Sequence, residues 1–288
     1  MSALAARLYG AYLNLYAVGN RRAAARVAFN RFCRPRRPPL RPHHTAWLNK
    51  ARAFTLSTPH SQVQVYRWGT GPRAILLLHG WESHAYFWRR TLDFLPPTYT
   101  AYALDAPGHG LSSGRYVNLH VYSQVVEQLL AQTGPLEAFV GHSLGGFTAL
   151  YTAYRLPQLA PVRLAALAVP GEVEAYFAWY RKLLGMTPRL AEALDRHTEA
   201  TIGHPPPYFS ALRFADSLPL DGLVVYDTAD REAPVGYGEQ LAARWPRAHN
   251  PVTEGLGHRL KSDRLAERVM AFATTGPHRA TPSPAPLP

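Results

Sequence analysis

The chain reads LEAFVGHSLGGFTAL from residue 136 to residue 150. A short apolar run typical of a β-strand leads into the pattern G-x-S-x-G at residues 141–145, and an apolar helical pattern follows at once. The turn between them is tight, and glycine at positions 141 and 145 removes the β-carbons that would collide with the neighbouring strand and helix. The segment therefore predicts a nucleophile, Ser143, held out at the C-terminal edge of a parallel sheet.

Two later segments carry the side chains that such a nucleophile needs. Residues 223–234 read LVVYDTADREAP, and residues 255–258 read GLGH. A serine hydroxyl is a weak nucleophile at neutral pH and needs a base, for which a histidine with its ordinary pKa near 6.5 is suited. The base needs a carboxylate on its other ring nitrogen. The second of these segments holds His258 and the first holds Asp227 and Asp230, which are the residue types that this chemistry needs.

Two further motifs, LHGW at residues 78–81 and DAPGHG at residues 105–110, complete a pattern that covers about residues 54–273. With the order serine, acid, histidine, this pattern resembles the α/β-hydrolase superfamily, in particular its small single-domain esterase-like serine hydrolases. The resemblance implies an α/β fold: a mainly parallel twisted sheet with helices on both faces and a small helical lid insert. It also implies ester hydrolysis or related acyl chemistry, since the members that open epoxides or remove halide carry aspartate in place of the serine.

The resemblance also distinguishes between the two carboxylates. Asp230 stands four residues before Pro234, as the acid of similar sequences does, so Asp230 is favoured and Asp227 is expected to be a hydrogen-bond acceptor in its loop. Two backbone amides, one directly after the nucleophile and one in the LHGW loop, are expected to bind the developing oxyanion. The predicted site therefore consists of the catalytic triad Ser143, Asp230 and His258 and of the oxyanion-hole amides of Trp81 and Leu144.

The other histidines and the cysteine suggest no additional chemistry. His79 and His109 are expected to brace their loops, and His142 is expected to point away from the nucleophile. The 13 histidines include no H-E-x-x-H pattern and no cluster with cysteine, so we predict no metal and no cofactor. The single cysteine, Cys33, permits no internal disulfide, and a cytoplasmic location is expected.

The net charge of +12 is concentrated near the N-terminus. No acidic residue precedes Glu82, and residues 1–81 hold 13 of the 31 basic residues, which leaves 18 basic residues against all 19 acidic ones. The body of the chain is therefore electrically neutral. Since no recognition motif accompanies this charge, we predict no nucleic-acid partner.

The periodicity of apolar residues divides the chain. Residues 2–33 have helical spacing beside Arg21, Arg22 and Arg26, and four prolines follow within residues 34–42. We predict a basic amphipathic helix with a Pro-rich linker over 1–42, a hydrolase domain over 43–275 with a lid insert at about 171–219, and a disordered tail over 276–288. Strands are predicted at 62–68, 74–78, 100–104, 136–140, 164–169, 223–226 and 249–252, and helices at 86–95, 120–132, 144–155, 236–245 and 263–272.

Three functions are compatible with these patterns. The first is a soluble carboxylesterase that acts on a small-molecule ester; the aromatic-rich insert favours an apolar acyl or aryl group. The second is a lysophospholipase or lipase-like hydrolase at a membrane surface, with residues 1–42 in peripheral contact with anionic lipid. The third is a binding module of the same fold without catalysis, against which the intact triad argues. Docking of residues 1–33 on the rest of the chain would weaken the second of these functions, the hydrolase at a membrane surface.

Overall fold

The computed structural model describes residues 2–59, 61–216 and 218–275 and divides into two compact units. Unit 1 falls within Met1–Arg34 and Gly171–Ser210, and unit 2 within Pro35–Pro170 and Ala211–Pro288. The tail predicted over 276–288 lies outside the described residues. No helix among the described residues is both long enough and apolar enough to cross a membrane.

Unit 2 is built on one mainly parallel sheet. Its strands are β1 Arg52–Ser57, β2 Gln62–Trp68, β3 Arg73–Leu78, β4 Tyr99–Leu104, β5 Ala138–His142, β6 Arg163–Leu167, β7 Asp221–Asp227, β8 Ala248–His249 and β9 Val252–Thr253. Their order is β1-β2-β4-β3-β5-β6-β7-β8, and β9 pairs with β7. The β1/β2 and β2/β4 pairs are antiparallel and the others are parallel. The predicted α/β sheet is confirmed.

Helices connect and flank these strands. Those of unit 2 are α2 Pro42–Leu48, α3 Arg89–Leu92, α4 Leu119–Thr133, α5 Leu144–Arg155, α8 Ala211–Ala215, α9 Val235–Arg244 and α10 Asp263–Thr274, and those of unit 1 are α1 Ala3–Phe32, α6 Val173–Leu184 and α7 Pro188–Ile202. Every residue of β4, β5 and β6 is buried, because parallel strands at the centre of such a sheet are covered on both faces.

Unit 1 places α1 on the two helices of the insert. Along one side of α1 small residues are buried, and a β-carbon at Gly10 would overlap the carbonyl oxygen of Leu184 at the end of α6. Near its C-terminus, the Phe32 ring packs on Phe177 and Tyr180 of α6 at centroid distances of 4.6 and 5.1 Å. The N-terminal helix is thus associated with residues 171–210. The role of the insert as a lid stays a prediction.

The Pro-rich stretch belongs to unit 2, whereas the sequence had grouped residues 34–42 with the N-terminal helix. Arg36 forms an ion pair of 2.8 Å with Glu82, and the Arg37 guanidinium donates a hydrogen bond of 2.7 Å to the Ser112 carbonyl. Both contacts join residues that are far apart in the sequence, and local sequence patterns do not report such contacts. The stretch ends at Pro42, where α2 begins.

Two parts of the strand prediction were wrong. Strand β1 was missed because only Leu56 of its residues is buried, so the alternation of apolar and polar residues that marks a strand is weak. The strand expected at 249–252 is instead the end of β8 and the start of β9, separated by Asn250 and Pro251. Proline has no backbone N–H to contribute to a continuous ladder.

Candidate active site

Ser143 stands at the turn that joins β5 to α5. Its backbone has φ of +51° and ψ of −122°, which residues other than glycine rarely adopt. The Ser143 amide donates a hydrogen bond of 2.8 Å to the Leu167 carbonyl at the end of β6. Gly145 lies so close to the end of β3 that a β-carbon there would overlap the Leu78 carbonyl oxygen. The turn therefore has the tight geometry that its sequence pattern predicts, and it holds Ser143 beyond the C-terminal end of β5.

The structure brings together the three side chains of the predicted triad. His258 Nε2 lies 3.1 Å from Ser143 Oγ, and His258 Nδ1 lies 2.9 Å from Asp230 Oδ2. The Asp230 side chain is fully buried, whereas 19% of the His258 side chain is exposed. Because an ionised carboxylate only accepts hydrogen bonds, Nδ1 carries the imidazole proton, and Nε2 offers its lone pair to the Ser143 hydroxyl.

The Asp230 carboxylate is held by its own loop, which follows β7. Its Oδ1 atom accepts hydrogen bonds from the amides of Glu232, at 2.8 Å, and Ala233, at 3.0 Å. These two amides occupy one carboxylate oxygen and leave Oδ2 directed at the His258 ring. The loop therefore fixes the direction of the Asp230 carboxylate.

Asp227, the competing carboxylate, contacts the loop that carries His258. Its side chain accepts hydrogen bonds from the amides of Leu256, at 3.0 Å, and Gly257, at 2.9 Å, and from the Thr253 hydroxyl, at 2.7 Å. Burial acts to raise the pKa of Asp227, but these hydrogen bonds outweigh it and lower the pKa from its ordinary value. As predicted, Asp227 is a loop hydrogen-bond acceptor, and the loop that it holds ends at His258.

His142 also contacts the His258 segment, a contact that sequence analysis missed. His142 Nε2 lies 2.7 Å from the backbone carbonyl of His258, and the ring stacks on Phe87 at a centroid distance of 4.5 Å. Burial lowers the pKa of His142 to about 4, so the ring is neutral and Nε2 donates its proton to that carbonyl. The histidine next to the nucleophile in the sequence thus holds the backbone of the candidate base.

The loop after β3 approaches Ser143 closely. A β-carbon at Gly80 would lie 2.9 Å from Ser143 Cβ, so only glycine fits there. Trp81, the next residue, is one predicted oxyanion donor. Leu144, the other, is the first residue of α5, where helix amides have no intrahelical partner. Both predicted donors belong to segments next to Ser143, and their role as an oxyanion hole stays a prediction.

The neighbouring histidines brace this loop. His79 Nε2 accepts a hydrogen bond of 2.9 Å from the Ala106 amide, and His109 Nε2 accepts one of 3.0 Å from the Glu82 amide. Burial lowers the pKa of both rings, to about 4 for His109. In the described part of the chain, no three His, Cys, Asp or Glu side chains are grouped to hold a metal ion.

Comparison with known proteins now identifies the family. A model of the alpha/beta hydrolase family matches residues 75–271, a span that includes every residue of the predicted site. The chain belongs to the alpha/beta hydrolase family. This alpha/beta hydrolase is 40% identical over 91 residues to a pimeloyl-[acyl-carrier protein] methyl ester esterase of Xylella fastidiosa strain M12, a match that covers 32% of this chain and 34% of that protein.

Other relatives extend the comparison. A pimeloyl-[acyl-carrier protein] methyl ester esterase of Xanthomonas oryzae pv. oryzae strain MAFF 311018 is 38% identical over 98 residues, covering 34% of this chain and 38% of that protein. The chain thus matches little more than a third of the length of these curated relatives. The crystal structure of naproxen esterase from Bacillus subtilis superposes with a TM-score of 0.59 at 18% identity, covering 82% of this chain and 99% of that one. That likeness shows the shared fold.

The buried histidines of this alpha/beta hydrolase predict loss of stability in acid. The pKa of His109 and His142 is lowered to about 4 by burial, whereas an unfolded histidine titrates near pH 6.5. Between these values the unfolded chain binds more protons than the folded one, so the free energy of unfolding falls as pH drops. The slope should reach about 1.4 kcal/mol per pH unit for each such histidine.

Urea unfolding followed by tryptophan fluorescence at several pH values between 7.5 and 5 measures this slope. His109→Asn removes one of these histidines. The slope of the unfolding free energy against pH should therefore fall by up to about 1.4 kcal/mol per pH unit, even though the variant is less stable at pH 7.5. An unchanged slope in His109→Asn would contradict the assignment of a neutral, buried His109.

Proposed function

We propose that this protein is a serine esterase that cleaves carboxylic esters through an acyl-enzyme intermediate. The observation that carries the proposal is the position of His258, which lies within hydrogen-bond distance of both Ser143 Oγ and Asp230 Oδ2. A non-catalytic binding module has no need of this arrangement. The similarity of part of the chain to methyl ester esterases supports an ester as the substrate class.

In the proposed mechanism, Ser143 Oγ attacks the acyl carbon while His258 Nε2 takes its proton. The carbonyl electron pair moves onto oxygen, and the amides of Trp81 and Leu144 stabilise that oxyanion. The imidazolium, paired with Asp230, then gives its proton to the leaving alcohol oxygen as the carbon–oxygen bond breaks. A water molecule, deprotonated by His258, releases the acid by the same route and restores Ser143.

We propose an apolar acyl or aryl group in the substrate, although two aromatic residues of the insert do not support it. Phe177 and Tyr180 of the aromatic-rich insert pack on Phe32 within unit 1 and are buried there. The support comes instead from Trp81, whose side chain is 40% exposed although its neighbour Gly80 adjoins Ser143. An exposed indole beside a nucleophile offers an apolar surface to a substrate.

A lipid ester is a second candidate substrate within the same reaction class. The observation that favours it is a large exposed apolar face on α1, with exposed fractions of 71% for Leu4, 64% for Leu8 and 75% for Leu15. A hydrolase that resides at a bilayer meets its lipid substrate there. The chemistry at Ser143 is unchanged in this alternative.

The esterase proposal is tested with purified full-length protein and p-nitrophenyl esters of increasing acyl length, each paired with the matching thioester and anilide. We expect turnover of the esters, rising with acyl length over the shorter chains, and much slower cleavage of the anilides. Monoacylglycerol and lysophospholipid in the same series distinguish the lipid substrate. Absence of ester turnover by correctly folded protein would refute the proposal.

A further inference from the structure

Helix α1 is apolar on two opposite sides, and only one of them is packed. The packed side carries residues that follow one another at intervals of three or four and are buried: Ala6, Gly10, Leu13 and Ala17. The opposite side carries large apolar residues with the same periodicity that are 55–75% exposed: Leu4, Leu8, Tyr12, Leu15 and Val18. We call these five residues the α1 outer face. A surface helix normally places polar residues there.

The rotation of α1 within unit 1 is fixed, so the outer face cannot turn inward. Gly10 fits against the Leu184 carbonyl only because it has no β-carbon. Asn14 ties the helix to the turn between α6 and α7: its Nδ2 donates to the Gly185 carbonyl and its Oδ1 accepts from the Thr187 amide, both at 2.9 Å. This docking on the insert argues against a membrane role for the packed side of α1, but it leaves the outer face exposed.

Cationic side chains lie next to the outer face. The helix is broken at Asn20, whose φ of −146° and ψ of 85° are not helical, and the Asn20 side chain caps the following segment through the Ala23 amide at 3.0 Å. An open depression of about 370 Å³ at this break is lined in part by Arg21, Arg22 and Arg189. All three arginines are exposed.

These arginines have no internal counter-charge in the described part of the chain. None of them takes part in an ion pair there, whereas Glu174 and Glu192 of the insert pair with other arginines, Arg181 and Arg196. No acidic residue occurs before Glu82, so α1 itself is free of carboxylates. The apolar face and its flanking charge are thus of the kind that anionic lipid attracts.

We propose that the α1 outer face and the arginines at the Asn20 break form a docking surface for an anionic lipid bilayer. The apolar side chains enter the headgroup region, the Tyr12 ring lies at the interface, and the arginines contact lipid phosphates. A second copy of the chain fits less well, because its α1 presents the same cationic surface without any carboxylate. The helix lies on the bilayer and does not span it.

Vesicle co-sedimentation of the full-length protein tests this proposal, with vesicles of phosphatidylcholine alone and of phosphatidylcholine with 30% phosphatidylglycerol. We expect binding to the anionic vesicles, weakened about tenfold or more between 50 and 500 mM salt because the attraction is screened. Leu8→Gln with Leu15→Gln should weaken it about tenfold or more at either salt concentration. Arg21→Gln with Arg22→Gln should weaken it mainly at low salt.

Leu111→Gln is the matched control, since Leu111 is 59% exposed but belongs to unit 2, and it should bind as wild type does. Every altered residue is exposed, so melting temperatures should be unchanged. Equal binding by wild type and the Leu8/Leu15 variant, or no binding by wild type, would overturn the proposal. Sedimentation velocity gives the remaining outcome. If wild type forms a dimer that the Leu8/Leu15 variant does not form, and wild type does not bind vesicles, the outer face is an interface between two copies of the chain.

The docking surface does not depend on the proposed catalysis, and the experiment separates the two. Ser143→Ala should bind anionic vesicles as wild type does, because Ser143 lies in unit 2. The Leu8/Leu15 variant should retain the wild-type rate on a soluble p-nitrophenyl ester. Failure of vesicle binding in a protein that cleaves the soluble ester would count against the docking surface alone.

Discussion

Replacement of Ser143 by alanine should abolish ester cleavage and covalent labelling by a fluorophosphonate. The side chain supplies the attacking oxygen, which lies 3.1 Å from His258 Nε2. Loss of the nucleophile in well-studied serine hydrolases lowers kcat on the order of 10⁶-fold. The measurement is the rate on a p-nitrophenyl ester together with mass spectrometry of the labelled peptide, which in wild type should carry the phosphonate on Ser143.

Ser113→Ala is a suitable control. Ser113 is an exposed serine whose hydroxyl accepts a hydrogen bond of 2.8 Å from the Gln62 amide, and its loss should leave labelling and turnover at wild-type levels. Undiminished labelling of Ser143→Ala would show that another residue is the nucleophile. A fall in Ser113→Ala equal to that in Ser143→Ala would show that the assay reports folding rather than chemistry.

Replacement of Asp230 by asparagine should lower kcat about 10⁴-fold, by analogy with the triads in which the orienting carboxylate has been removed. The asparagine oxygen still accepts from the Glu232 and Ala233 amides, which leaves its NH₂ group directed at His258 Nδ1. An NH₂ group cannot accept the Nδ1 proton. The imidazole then adopts the other tautomer, with its proton on Nε2, and cannot take the proton of Ser143.

Asp227→Asn is the matched variant, since both aspartates are buried and only three positions apart. Its carboxylate accepts hydrogen bonds at both oxygens from the loop that ends at His258, and an amide loses the acceptor at one of them. We expect a lower melting temperature and a fall in kcat far smaller than that of Asp230→Asn. Steady-state kinetics and thermal unfolding of the two proteins give the ranking, and the reverse order in kcat would assign the acid to Asp227.

Local patterns predicted some elements with the bounds that the structure has and missed others altogether. Residues 62–68 were predicted as a strand with the bounds that β2 has, and α5 begins and ends where the helical pattern does. In both elements the apolar residues recur with a clear period or the residue at which the element begins is unambiguous. Strand β1 was not predicted, because an edge strand with one buried side chain has almost no period.

The candidate site likewise has residues that the sequence predicts and contacts that it does not predict. The position of Ser143 follows from its glycine-containing turn, whereas His258 was predicted from the resemblance of its loop to the histidine loop of the family. The separate functions of Asp227 and Asp230 depend on which loop each carboxylate faces. Sequence similarity favoured Asp230, but only the hydrogen bonds of Asp227 to Leu256 and Gly257 explain what the first aspartate does.

The sequence by itself determined the turn at Ser143 and the excess of positive over negative charge near the N-terminus, because the turn depends on neighbouring residues and the charge on composition. Tertiary structure alone decided that His142 holds the His258 carbonyl and that α1 buries the side with Gly10 rather than the side with Leu8. Both sides of α1 are apolar, so periodicity cannot distinguish them. Steric fit does, since only the side with small residues can approach the backbone of the next helix closely.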